Sequence, residues 1–302
     1  MNRLSALAAV LAVASAGCAM DRGNNQRIAD LRAHAPLPVK DVDTAQARDH
    51  AMRHYDRFLR DSPESPLAGE ALRRLADLNL EHEQQLRGQG HEPSGDTPSK
   101  AAALYRELLE LFPERSDAQA SLYQLARAYD LSGEPEPAMQ ALETYATHHP
   151  SGEKIDEVEF RRGEYLFVRR DFARAGRAYD KVAGMGEASA FYRHSLYKLG
   201  WSRFKQQQFE QSLVAFMQLL DASLGKHTDN PELPDSIEGA ERERLEDTLR
   251  AISLDFVALG DVEQLGLFFS RHGQRGYEPL IHDRLAVLHL SRERYSDAAL
   301  TY

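Results

Sequence analysis

The chain has 302 residues, with 47 Asp and Glu against 37 Lys and Arg and a formal net charge of −10. That acidic balance, without a long basic run, argues against nucleic acid as a partner. A single cysteine excludes a disulfide framework. Ala, Leu, Glu and Arg lead the composition while Val and Ile are sparse, which favours helix over sheet.

The chain opens with Asn2 and Arg3, an uncharged apolar run from Leu4 to Val13, and the small residues Ala14, Ser15, Ala16 and Gly17. This charged, apolar, small order predicts a secretory signal peptide over residues 1–17, its apolar core too short to span a bilayer permanently. Two cuts are open. "ASA" suits an ordinary signal peptidase that would leave Gly17 first. "SAGC" resembles a bacterial lipobox, although Ser15 stands where leucine is usual, and it implies that Cys18 is acylated and becomes the first residue. Acylation would supply the lipid signals that stable anchoring needs. In such lipoproteins Ala19, not Asp, beside the cysteine implies forwarding to the outer membrane. Loss of residues 1–17 removes only Arg3 and leaves a charge of −11.

Residues 18–42, with Asn24, Asn25, Pro36 and Pro38, read as a tether with at most one short helix. A helical array follows over 43–302. Ala51, Tyr55 and Pro63 mark a leading helix. Leu72, Leu75 and Ala76 mark the next, and Ala101, Tyr105 and Pro113 its mate. Between these two, "RGQGHEPSGDTPS" reads as an exposed loop. Then come "SLYQLARAYDLSGEPEPAMQALETYATHHP", "EFRRGEYLFVRRDFARAGRAYDKVAG" and "SLYKLGWSRFKQQQFEQSLVAFMQLL". They align at steps of 37 through Ala126, Gly163 and Gly200, through Ala138, Ala175 and Ser212, and through Leu142, Tyr179 and Phe216. Phe172 and Phe209 open second helices, and Pro150 closes one. After the loop "KHTDNPELPDS", Leu249, Ile252, Phe256, Val262, Leu265 and Phe269 form a degenerate unit. Leu285, Ala286, Tyr295, Ala298 and Tyr302 start another, which stops in mid-helix and implies a longer protein.

Two helices cross closely where their facing residues are small, and a large residue one turn on fills the space beside the contact. A small residue, a second one twelve later, then a bulky one four further on: this resembles the tetratricopeptide repeat. The small positions 76, 126, 163, 200, 253 and 286 are spaced 50, 37, 37, 53 and 33 apart, so the longer gaps hold insertions. The resemblance implies an all-α, right-handed superhelical solenoid of antiparallel helix pairs, its first helices lining a concave side. "SPESPLAGEALRRLADL" is similar to the "P-x-S-P…A" first repeat of the tetratricopeptide lipoproteins of the outer-membrane β-barrel assembly machinery. That implies a periplasm-facing adaptor.

Catalytic signatures do not emerge, and no enzyme, metal or cofactor is expected. "HEQQL" at His82 lacks the second histidine of a zinc-protease helix, and Gly225-Lys226 lacks the upstream glycine of a phosphate loop. His50 and His54 lie one helical turn apart without a third ligand, as solvated histidines do. His148 and His149 suit a helix C-terminus. His282 and His289 flank an apolar face as packed or exposed side chains. "EKIDEVEF" and "ERERLED" read as solvated faces.

Three residues before each small position stand Tyr123, Phe160 and Tyr197, an expected aromatic ladder. One and four residues after it stand Arg127 and Asp130, Glu164 and Phe167, and Trp201 and Phe204. Such places in the repeat family commonly face a bound peptide, so this row implies a partner groove. Packing of helix on helix is the plainer use of the same aromatics. The expected function is a lipid-anchored protein–protein scaffold of the cell envelope, with a soluble periplasmic protein as the alternative location. The rival readings are a targeting module of a longer envelope enzyme or peptidoglycan-binding protein, and a glycan-binding export scaffold.

Overall fold

A computed structural model describes residues 44–90, 99–225 and 233–302. Cys18, the leader 1–17, the tether 18–42 and parts of both predicted loops lie outside the described residues. By contact the chain divides into Met1–Asp49 and His50–Tyr302. The described part of the first unit is the start of helix α1 (Thr44–Asp61).

Among its described residues the regular elements of the second unit are α-helices and a single 3-10 turn at Gly186–Ala188. After α1 it runs α2 (Ala68–Gly88), α3 (Lys100–Leu111), α4 (Ala118–Leu131), α5 (Pro135–His148), α6 (Ile155–Val168) and α7 (Phe172–Ala183). It continues through α8 (Tyr192–Lys205), α9 (Phe209–Leu224), α10 (Gly239–Leu259), α11 (Val262–His272), α12 (Glu278–Ser291) and α13 (Tyr295–Thr301). Each helix packs on its sequence neighbour within the pairs α2–α3 to α12–α13. The first helices also meet across pairs, as in α2 on α4, α8 on α10 and α10 on α12. This is the predicted array of antiparallel pairs.

The small positions do what their spacing requires. Ala76, Ala126 and Ala286 are fully buried, and Ser253 nearly so. A Cβ at Gly163 would stand 2.5 Å from the Tyr179 ring, and one at Gly200 would stand 2.4 Å from Phe216. Leu142, Tyr179 and Phe216, sixteen residues after their small partners, are themselves fully buried. Phe172 and Phe209 are the first residues of α7 and α9, as expected. Tyr295 and Tyr302, assigned to the last unit from sequence, are 67% and 75% exposed.

The turn between paired helices recurs, and the sequence reading did not single it out. Gly133, Arg170, Gln207 and Glu293 all take positive φ, at 74, 62, 60 and 59°. Each stands seven residues after its small residue. The following amide in each case donates to a carbonyl five residues back, for example Asp171 to Leu166 and Gln208 to Arg203, both at about 2.9–3.0 Å. That is the Schellman closure of a helix C-terminus, which glycine makes at least cost. Three of the four turns use a side-chain-bearing residue there.

Two segments read as solvated faces each hold a carboxylate turned toward a neighbouring helix, buried in one and half-buried in the other. Glu159 on α6 is 1% exposed and accepts from Arg162 and from Lys181 on α7. Burial is tolerable because two cations reach the carboxylate. Asp247, in "ERERLED" on α10, accepts hydrogen bonds from α8. None of the described helices is long and apolar enough to cross a membrane.

Candidate functional site

The first helices α4, α6 and α8 carry the eight residues expected to face a partner. All are half-buried: Tyr123, Arg127, Phe160, Glu164, Phe167, Tyr197, Trp201 and Phe204. Tyr123, Phe160 and Tyr197 occupy equivalent places, yet no ring contact joins them among the described residues. Each reaches to the neighbouring pair instead. Tyr123 Oη donates to Glu157 Oε1 on α6 at 2.7 Å, and Tyr197 Oη donates to Asp247 Oδ2 on α10 at 2.6 Å. Burial, with the acceptor carboxylate beside it, pushes both phenols up to about 12. Both therefore stay neutral donors at ordinary pH.

Phe160 stacks on Phe191, ring centres 5.1 Å apart, with Tyr179 and His194 at its edges. Glu164 accepts from Tyr179 Oη at 2.5 Å and from Lys198 Nζ at 3.0 Å, tying α6 to α7 and α8. Lys198 also lies over the Phe167 ring, at 5.1 Å from its centre. Arg127 donates to Gln124 at 2.9 Å. Asp130 receives Arg161 and Tyr165 from α6.

Trp201 is the most connected of the eight. Its Nε1 donates to Asp247 Oδ2 at 3.2 Å, and its ring meets Tyr197, Phe204 and the buried Phe216 edge-on. Lys205 stands 5.6 Å above it. Phe204 packs in turn on Phe209. The row is thus half core and half surface. Its inner edges hold the helix pairs together, and its outer edges stay partly open to solvent.

That row extends beyond the three central units, which the sequence reading missed. A cavity of about 650 Å3 lies between α10 and α12 and is lined by Arg250, Glu246, Asp247, Arg284, Val287 and Leu288 among others. Arg250 stands three before Ser253 and Val287 one after Ala286, the same register that picked out Tyr197 and Trp201. The shared Asp247 joins this cavity to the Trp201 cluster. Arg284 pairs with Glu246 at 3.2 Å and Arg250 with Asp247, while Arg242 donates to the Ile237 and Pro234 carbonyls. Val287 and Leu290 are 45% and 44% exposed on α12.

At the other end a cavity of about 350 Å3 is lined by Arg73, Asp77, Leu80, Tyr105, Gln124 and Arg127. Arg73, Asp77 and Leu80 hold the same three register places around Ala76. Arg73 pairs with Glu70 and Asp77, and its hydrogen bond holds the Glu70 carboxyl down at about 2. The register was legible from the small residues at 76, 253 and 286, but the irregular spacing hid it.

Residues 120–152 and 194–222 match the tetratricopeptide repeat family model. No curated protein sequence matches the chain. Among solved structures, MamA from Desulfovibrio magneticus superposes at TM-score 0.41 and 15% identity over 65% of this chain and 92% of that one. BtubC from P. vanneervenii gives 0.43 and 19% over 76% and 90%. A tetratricopeptide repeat protein from Parabacteroides merdae gives 0.40 and 15% over 85% and 91%. Likenesses of this size carry no function across. The chain is an all-α array containing tetratricopeptide repeats, an architecture suited to protein–protein interaction.

Proposed function

We propose that this protein is a non-catalytic scaffold of the bacterial cell envelope, held to the outer membrane through acylated Cys18 and facing the periplasm. Its first-helix face holds a segment of a partner protein. The observation that carries the binding reading is the shared register. The aromatic row on α4, α6 and α8 holds three places around its small residues; Arg73, Asp77 and Leu80 hold the same three in one end cavity, and Arg250 and Val287 hold two of them in the other. Rigid aromatic anchors between paired charges suit a peptide that supplies its own apolar side chains and backbone hydrogen bonds. Val287→Arg would fill the α10–α12 cavity with charge, whereas Arg174→Glu alters an exposed residue of the second helix α7. Chemical crosslinking in cells should lose its discrete adduct in the first variant and keep it in the second. Equal adducts in both variants would sink the groove reading.

The anchoring reading rests on the order of residues 2–18. Palmitate labelling should disappear in Cys18→Ala, and a mature N-terminus at Gly17 would contradict it.

A further inference from the structure

The last two helix pairs bring together three side chains that neither the repeat nor the groove explains. Asp261 lies in the turn between α10 and α11, His289 on α12 and Asp297 on α13. One ligand-type atom from each falls within 4.8 Å of the others. His289 is fully buried, and neither ring nitrogen makes an aligned hydrogen bond. Its Nε2 stands 2.6 Å from Asp261 Oδ1, an ion-pair distance, but that oxygen too has no aligned donor. A buried imidazole beside two carboxylates, with neither ring nitrogen in an aligned hydrogen bond, has donor capacity that a metal ion could use. Asp261 itself is held at φ 73° and ψ −145°, a region that side-chain-bearing residues rarely occupy.

We propose that Asp261, His289 and Asp297 form a site for a divalent transition-metal ion of the zinc, cobalt or nickel class. One imidazole and two carboxylates are ligands these borderline ions accept, with a fourth position open to water. Arg294 holds the place when the metal is absent. Its guanidinium donates to Asp261 Oδ2 and to Asp297 Oδ2, both at 2.6 Å. Arg294 is 38% exposed, so it can swing outward as the ion enters. Charge favours the exchange. The single charge of Arg294 faces two carboxylates, and a divalent ion matches both. Donor atoms about 2.0–2.1 Å from zinc stand roughly 3.3 Å apart, so the Asp261–His289 contact needs to open by less than about 1 Å. Bound metal would then clamp the α10–α11 turn to α12 and α13.

The test uses the full chain carrying His50→Ala, His54→Ala and Cys18→Ser. The exposed His50 and His54 stand 3.1 Å apart and, like a free thiol, would bind metal themselves. Cobalt absorption and zinc calorimetry are measured in this background and after adding Arg294→Gln or Asp297→Asn, both at partly exposed positions. The proposal expects one equivalent bound in the background, with a higher thermal unfolding midpoint. It expects roughly tenfold or more tighter binding in Arg294→Gln, which loses a competing charge, and loss of the site in Asp297→Asn. No uptake by either the background or Arg294→Gln would overturn it, as would uptake unchanged by Asp297→Asn. The four residues would then be an ion-pair network only.

Discussion

Asp255 on α10 is fully buried, and neither carboxylate oxygen has a hydrogen-bond partner. The hydroxyl of Ser212 on α9 is spent on the Gly200 carbonyl at 3.0 Å. Burial pushes the Asp255 carboxyl up to about 8. Folding near neutrality therefore takes up a proton that the unfolded chain, ionising near 3.9, has lost. The native state binds more protons between these two values, so stability falls as pH rises through that window and levels off above about 8. The slope is about 1.4 kcal/mol per pH unit, which amounts to roughly 4 kcal/mol at pH 7. Asp255→Asn removes the titration and keeps the shape. We expect it to match or slightly destabilise the protein at pH 4, and to stabilise it by about 2–4 kcal/mol at pH 7 once an orphan amide is allowed for. Trp201, the single tryptophan, donates to Asp247 on the same helix and reports this region locally. Urea titrations followed by its fluorescence at pH 5, 6, 7 and 8 read the difference. Parallel stability profiles for the two proteins would refute the reasoning, because they would mean that Asp255 is paired or solvated.

Other expectations follow from the packing and the turns. Gly200→Ala drives a methyl into the Phe216 ring and should cost about 1–3 kcal/mol in urea titration, with Gly200→Ala/Phe216→Leu recovering part of the loss. Gln207→Gly relieves an exposed turn at φ 60° and should raise stability by about 0.5–1 kcal/mol, read as a higher unfolding midpoint. Tyr277→Phe removes a buried hydroxyl that donates to Asp221 at 2.7 Å and should cost about 1–2 kcal/mol in the same assay. Asp247→Ala frees Tyr197 and Trp201 together. It should shift Trp201 emission to longer wavelength while leaving helix content by circular dichroism unchanged.

The helix pairs were legible because close crossing leaves a mark on single residues. Ala126, Gly163 and Gly200 must be small, and Leu142, Tyr179 and Phe216 must fill the space beside them, whatever the partners' identity. The turns were not legible. Arg170, Gln207 and Glu293 take the left-handed conformation without the glycine that usually announces it, because the Schellman bond after each compensates the strain. Buried charge was hidden for another reason. Glu159 and Asp247 sit in strings of surface-like residues, yet Glu159 is buried and Asp247 half-buried, each met by donors from a neighbouring helix. The Asp261–His289–Asp297 cluster spans 36 residues of sequence with no motif spacing. It exists because the α10–α11 turn meets α12 and α13 of the next pair, which a linear reading does not represent. The candidate groove falls between these cases. Its central aromatics were visible, and its ends at Arg73 and Val287 required the full register.

The central claim is that the first-helix face holds a partner protein. Its most direct test places a photo-crosslinking residue in turn at Phe160, at Val287 and at Arg174, with adducts identified in intact cells. One discrete protein adduct shared by Phe160 and Val287 and absent at Arg174 is expected. Folded protein with no adduct at either groove position, or with the same adduct at Arg174, would contradict it.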